Sequence, residues 1–175
     1  MCRKQISDAD GQTFARMLYT NKTLRKLELE GNLLGPKSAI EFGEALKVNT
    51  TLKFLDLESN QLTVDGQDMY GAVQMVEFLD KNTNLLSLNM ANNQLDEQCG
   101  QLFREKLENN KTLIDFDYTM NNFSLKDSRQ IQEYLQRNKA MYDAERLKEW
   151  KERKLMRSED EHLKELYLQE QSAKE

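Results

Sequence analysis

Leu24-Arg25-Lys26-Leu27-Glu28-Leu29-Glu30-Gly31-Asn32-Leu33-Leu34 places leucines at spacings of three and two, then an asparagine, then a further apolar residue. The same beat returns at Leu52/Leu55/Leu57/Asn60/Leu62, Leu85/Leu88/Met90/Asn93/Leu95 and Leu113/Phe116/Tyr118/Asn121/Phe123. Apolar residues alternating over so short a run predict a strand with one face buried. Between the runs a second pattern recurs: a small residue, an apolar residue three later, another four later, then Asn. It reads Gly11/Phe14/Leu18/Asn21, Ala39/Phe42/Leu46/Asn49, Ala72/Met75/Leu79/Asn82, Gly100/Phe103/Leu107/Asn110 and Ser128/Ile131/Leu135/Asn138. Positions three, four and seven apart share a helix face. A strand and a helix repeated at this period predict a stacked array rather than a single closed core.

The rest of the composition narrows the class. The chain has 175 residues and a net charge of −5, which argues against nucleic acid as a partner. No apolar run approaches the roughly 18 residues that would predict a membrane span. The opening Met-Cys-Arg-Lys-Gln has no apolar stretch of the signal-peptide kind. Two cysteines, Cys2 and Cys99, are too few for a disulfide framework and point to a reducing, cytoplasmic setting. Cys99 sits on a predicted helix and reads as a buried, inert thiol.

The expected architecture is α/β, with a parallel sheet on one side and helices on the other; the pattern resembles leucine-rich repeats, which implies a short right-handed horseshoe solenoid with strands on the concave face and helices on the convex face. Residues 1–138 form the array and 139–175 a charged helical cap and arm. Asn32, Asn60, Asn93 and Asn121 follow the strands and predict a structural ladder that satisfies backbone groups at the turn. Asn21, Asn49, Asn82 and Asn110 end helices and suit the left-handed terminating position. Gly11, Ala39, Ala72 and Gly100 predict close approach of strand and helix. The strand motifs start 28, 33 and 28 residues apart, so the second repeat carries five extra residues around Thr63–Gly71. These predict a surface bulge or a longer helix; Asp65 and Asp68 lack the ligand spacing and final Glu of a calcium loop.

The two ends differ. Ile6 aligns with Leu34, Leu62 and Leu95, so the chain opens at the end of a strand. That leaves Lys26–Glu30 as an unpaired edge, to be covered by another protein or by more of a longer array, or else tolerated as a frayed start. Beyond Asn138 no leucine triplet follows. Residues 140–157 are good helix formers with Met141, Ala144, Leu147 and Trp150 as an apolar stripe, expected to fold over or extend the last repeat. Ser158-Glu-Asp-Glu161 matches a capping box, predicting a second helix with Leu163, Leu166, Tyr167 and Leu168 on one face. Such a mixed-charge helical arm, coiled coil or otherwise, needs tertiary or partner contacts to be firmly populated.

Residues between the strand leucines point to the concave face. In register they are Lys26/Phe54/Ser87/Asp115, then Glu28/Asp56/Asn89/Asp117, then Glu30/Glu58/Ala91/Thr119. The predicted protein-binding set is Lys26, Glu28, Glu30, Phe54, Asp56, Glu58, Asn89, Asp115 and Asp117. Six carboxylates gathered there repel one another, which a basic ligand would relieve and solvent would otherwise screen. Phe54 supplies an aromatic anchor. No catalytic residues are assigned: the single histidine, His162, lies in the charged arm, and no Ser/His or Cys/His dyad is available. No metal or cofactor is expected, since neither a Cys/His cluster nor a Gly-rich phosphate loop is present.

The two interlocking patterns resemble the ribonuclease-inhibitor-like class of leucine-rich repeats over residues 1–138. That class includes ribonuclease inhibitors, activators of the small GTPase Ran, the tropomodulin C-terminal domain and axonemal leucine-rich repeat subunits. The resemblance implies a non-catalytic interaction module or scaffold subunit of a multi-protein, cytoskeletal assembly, axonemal or actin-associated, in the cytoplasm, a cilium or a flagellum. Its partners would be other proteins with a basic contact surface, with no nucleic acid and no membrane. The alternative it allows is a regulator of a small GTPase.

Overall fold

The computed structural model describes the backbone of residues 1–172 and the side chains of residues 1–157, 161 and 162. It divides into two units, Met1–Lys139 and Ala140–Glu175.

In the first unit four strands, β1 (Lys26–Glu28), β2 (Phe54–Asp56), β3 (Ser87–Asn89) and β4 (Asp115–Asp117), form one parallel sheet in chain order. Each is shorter than its motif, but the ladder outlasts regular pairing. Leu29 N donates to Asp56 O, Leu57 N to Asn89 O and Met90 N to Asp117 O, all within 2.9 Å. A helix carries the chain across after each of the first three strands, which is what makes the strands parallel. The helices are α1 (Asp8–Met17), α2 (Pro36–Val48), α3 (Tyr70–Val76) with a 3-10 turn at Glu77–Asp80, α4 (Glu97–Asn109) and α5 (Leu125–Ser172). Strand leucines Leu29, Leu55, Leu57 and Leu88 and helix residues Phe42, Leu46, Met75, Phe78 and Phe103 form one buried layer.

Helix starts are capped locally and across repeats. Ser7 and Asp10 form a reciprocal capping box on α1, and Asp96 accepts from Cys99 N at the start of α4. Gly35, before α2, has no capping side chain of its own; Asp8 of the preceding repeat accepts from Gly35 N and Ser38 N, both at 2.8 Å.

Several expectations change. Asn49 and Asn110 end their helices in extended backbone (φ −75° and −69°), not left-handed. Their amides bridge repeats instead, which the extended geometry permits. The small helix positions face the next repeat, not the strand. A Cβ on Gly100 would lie 2.8 Å from the Phe123 ring, and one on Gly11 3.0 Å from Ser38 Cβ. At Gly43 and Gly71 the neighbour is backbone: a Cβ would meet Met75 Cα at 2.7 Å and Pro36 Cα at 2.6 Å. The five extra residues bulge as a loop, and α3 is shortened to seven residues against thirteen in α2 and α4. In that loop Val64, Asp65 and Gly66 are consecutively left-handed (φ 47°, 55° and 80°). Thr63 closes it, donating to Asn93 O at 2.8 Å and accepting from Gly66 N at 3.1 Å. The β1 edge is partly occupied: Met1 N donates to Glu28 O at 2.7 Å and Arg3 N to Glu30 O at 2.9 Å.

At the last repeat Phe103, Phe116, Tyr118 and Phe123 pack as an aromatic layer, with the Tyr118 and Phe123 rings stacked at 5.0 Å. Arg137 donates to Leu107 O, Glu108 O and Asn110 O, satisfying the carbonyls at the end of α4.

In the second unit the backbone is helical from Ala140 through Ser172 without a break at Ser158, so the expected second helix start is not there. The side chains of Ser158, Leu163, Leu166, Tyr167 and Leu168, on which that expectation rested, lie outside the described residues. Met141, Leu147 and Trp150 are exposed, at 52–53% of their area, as is Ala144.

Candidate protein-binding face

Strand pairing brings the expected rows together. Lys26, Phe54, Ser87 and Asp115 are partners across the four strands, as are Glu28, Asp56, Asn89 and Asp117. The third row keeps step beyond the strands: Gly31 N donates to Glu58 O, Ser59 N to Ala91 O and Asn92 N to Thr119 O. Alternation puts Leu27, Leu55, Leu88 and Phe116 into the core and leaves their neighbours outward. Phe54 is 43% exposed, whereas Ala91 is buried. Residues of the first two rows line a shallow groove of about 260 Å³.

The carboxylates play two roles. Asp56 and Asp117 accept from the backbone N–H two residues on, Glu58 N at 3.0 Å and Thr119 N at 2.9 Å. Asn89 does the same for Ala91 N at 3.0 Å. This Asx turn fixes the chain where it leaves β2, β3 and β4. The other four reach side chains: Glu28 to Lys26 at 2.7 Å, Glu30 to Arg3 at 3.2 Å, Glu58 to the Asn89 amide at 2.9 Å and Asp115 to Ser87 at 2.8 Å. Two cations thus stand against six carboxylates. The pKa shifts follow. Burial pushes Asp56 up, and Glu58, Glu30 and Glu28 add to it. Lys26, hydrogen-bonded to Glu28, holds that carboxyl low and is itself raised.

Beneath this face runs the expected ladder. Asn32 accepts from Lys4 N and Ile6 N and donates to Leu29 O. Asn60 accepts from Leu34 N and donates to Leu29 O and Leu57 O. Asn121 accepts from Asn93 N and Leu95 N. Asn93 donates to Leu57 O and Met90 O, but its buried Oδ1 has no partner. In the other rungs the equivalent donors come from the repeat before, which for Asn93 is the one that carries the extra loop.

A second ladder, at the other end of the strands, escaped the sequence reading. Asn49, Asn82, Asn110 and Asn138 each donate to the preceding repeat, at Leu18, Leu46, Leu79 and Asn110 O respectively, within 3.0 Å. The signal is Asn at a fixed place in all five helix motifs, which at Asn21, Asn49, Asn82 and Asn110 points equally to helix termination. Arg3 was also missed, because charge alone does not place it beside Glu30.

Cys99 is buried on α4, and burial pushes its thiol up to about 12. His162 is exposed. Among the described residues no group of three or more His, Cys, Asp or Glu is placed to hold a metal ion. No helix among them is long and apolar enough to cross a membrane.

A family model described as Leucine Rich repeat matches residues 20–43, 48–66 and 81–97. A solved structure of the leiomodin-1 actin-binding site 2 is similar, with a TM-score of 0.75 and 21% identity over 86% of this chain and 85% of that one. The tropomodulin C-terminal domain of Caenorhabditis elegans matches at a TM-score of 0.44 and 14% identity, over 79% of this chain and 98% of that one. No curated protein matches the chain. Both the repeated beat and the stacking that it produces lead to one conclusion: this chain folds as a leucine-rich repeat array.

Proposed function

We propose that the chain is a non-catalytic protein-interaction module that takes a basic partner surface on its sheet face, within a cytoskeletal assembly, actin-associated or axonemal. The observation carrying this reading is the open sheet itself, where four carboxylates and an exposed Phe54 share one groove, with Glu30 and Glu58 in the next row. Opposite charge on a partner would remove their mutual repulsion, and Phe54 gives the contact an apolar centre. The likeness to the leiomodin-1 actin-binding site 2, which spans most of both chains, supports the actin setting.

Co-sedimentation with purified actin filaments and with isolated axonemes tests it. The informative variant is Glu28→Lys/Glu58→Lys/Asp115→Lys, because none of these three caps a backbone N–H. The wild type should pellet with one of the two filaments, and the variant about tenfold less, with unchanged circular dichroism. A wild type that stays in the supernatant with both, or a variant that pellets equally well, would remove the proposal.

A further inference from the structure

The exposed helix of the second unit is electrostatically polarised. Residues 140–157 hold six basic and four acidic side chains. Arg146, Trp150, Arg153, Lys154 and Arg157 recur at i, i+4, i+7, i+8 and i+11, which is one stripe of a helix, while Glu145, Glu149 and Glu152 fall on a different side. All five stripe residues are exposed. Lys154 lies 5.2 Å over the Trp150 ring, and Trp150, Arg153, Lys154 and Arg157 border a groove of about 310 Å³. A tryptophan flanked by guanidinium groups is a common core of a protein interface.

The same chain carries a surface of matching length and opposite sign. Arg146 to Arg157 spans about 16 Å of helix. The four strands of the sheet span about 14 Å. Trp150 stands about 6 Å along the stripe from Arg146. Phe54 stands one strand, about 4.8 Å, in from β1, which carries Glu28. An aromatic group near one end, with charge beyond it, is therefore common to both.

We propose that the stripe Arg146–Arg157 of one copy docks on the acidic sheet face of a second copy of this chain. This rests on the reading of that face as a site for a basic partner and names a basic helix as what it takes. Guanidinium groups would approach Glu28, Glu58 and Asp115, with Trp150 against Phe54.

Trp150 is the sole tryptophan of the chain, so its emission reports the contact directly. Sedimentation velocity and Trp150 emission are followed together through a dilution series of the full chain at low and high salt. The wild type should associate, with emission shifted to the blue, and should separate on dilution or in high salt. Glu28→Lys/Glu58→Lys/Asp115→Lys and Arg146→Glu/Arg153→Glu/Arg157→Glu should each weaken association at least about tenfold. Each of these variants keeps the surface that the other lacks, so an equimolar mixture should associate again. A wild type that is monomeric throughout, a variant that associates undiminished, or a mixture that stays monomeric overturns the proposal. Self-docking fails alone if the wild type is monomeric yet still pellets with filaments through its sheet face. Loss of filament binding with intact self-association instead removes the cytoskeletal reading.

Discussion

Asn49 joins three segments with one side chain. Its Nδ2 donates to Leu18 O at 2.7 Å and Asn21 O at 3.2 Å, and its Oδ1 accepts from Thr51 N at 2.9 Å and Leu52 N at 2.8 Å. The residue is 2% exposed, so water cannot take over those bonds. Asn49→Ala should therefore cost about 3 kcal/mol, read as a lower urea midpoint, because it leaves several buried backbone groups unsatisfied. A loss within experimental error would show that the ladder does not hold the repeats. Asp56 should behave in the opposite way. Asn89 makes the same turn one repeat on, so Asp56→Asn keeps the Asx bond and removes a charge raised in pKa by burial and neighbouring carboxylates. The variant should be more stable at pH 7 by about 0.5 kcal/mol, since the group is partly solvated. A raised folded pKa penalises the ionised state, so the wild type loses stability as pH rises from the ordinary carboxylate value through the Asp56 pKa. Denaturation at both ends of that window should show the gap closing on acidification; a gap that widens would reverse the assignment.

Among the elements, α2 and α3 come closest. Gly71 faces the Pro36 backbone, where a Cβ would lie 2.6 Å from Pro36 Cα, and backbone cannot swing aside as a side chain can. Gly71→Ala should cost about 3 kcal/mol, whereas the same change on an exposed helix face would be favourable. Thermal unfolding of the wild type and Gly71→Ala tests this, and equal midpoints would show that the helices separate easily. These contacts explain what the sequence did and did not disclose. The strand leucines and their registers were legible, because alternation forces Leu27, Leu55, Leu88 and Phe116 inward and so fixes what faces out. The helical asparagines were not, because the same residue ends a helix in left-handed backbone or bridges repeats in extended backbone. Only the neighbouring chain decides between them. Ser158 shows a similar limit: a capping sequence lowers the cost of starting a helix but does not interrupt one already running.

Across the whole molecule, stability should be graded. In a stacked array each repeat contacts its neighbours only, so the ends have one fewer interface than the middle. Amide hydrogen exchange should be slowest in β2 and β3 and faster in β1 and β4, followed by mass spectrometry of peptides from each repeat. Uniform protection would indicate one cooperative block. The rows of the candidate binding face were readable at this scale, since strand register carries them, yet its neutralisation was not. Arg3 and the Asn89 amide answer Glu30 and Glu58 only after folding. The asparagine ladders also set how the molecule ages. Hydrolysis of a primary amide to a carboxylate is a slow thermal injury of asparagine. At Asn49 or Asn110 it would replace two donors with a negative charge beside backbone carbonyls, in a place without solvent. Tight hydrogen bonding shields those amides while the repeats stay stacked, so damage accumulates chiefly in chains that have opened. Each such event would then prevent that chain from closing again.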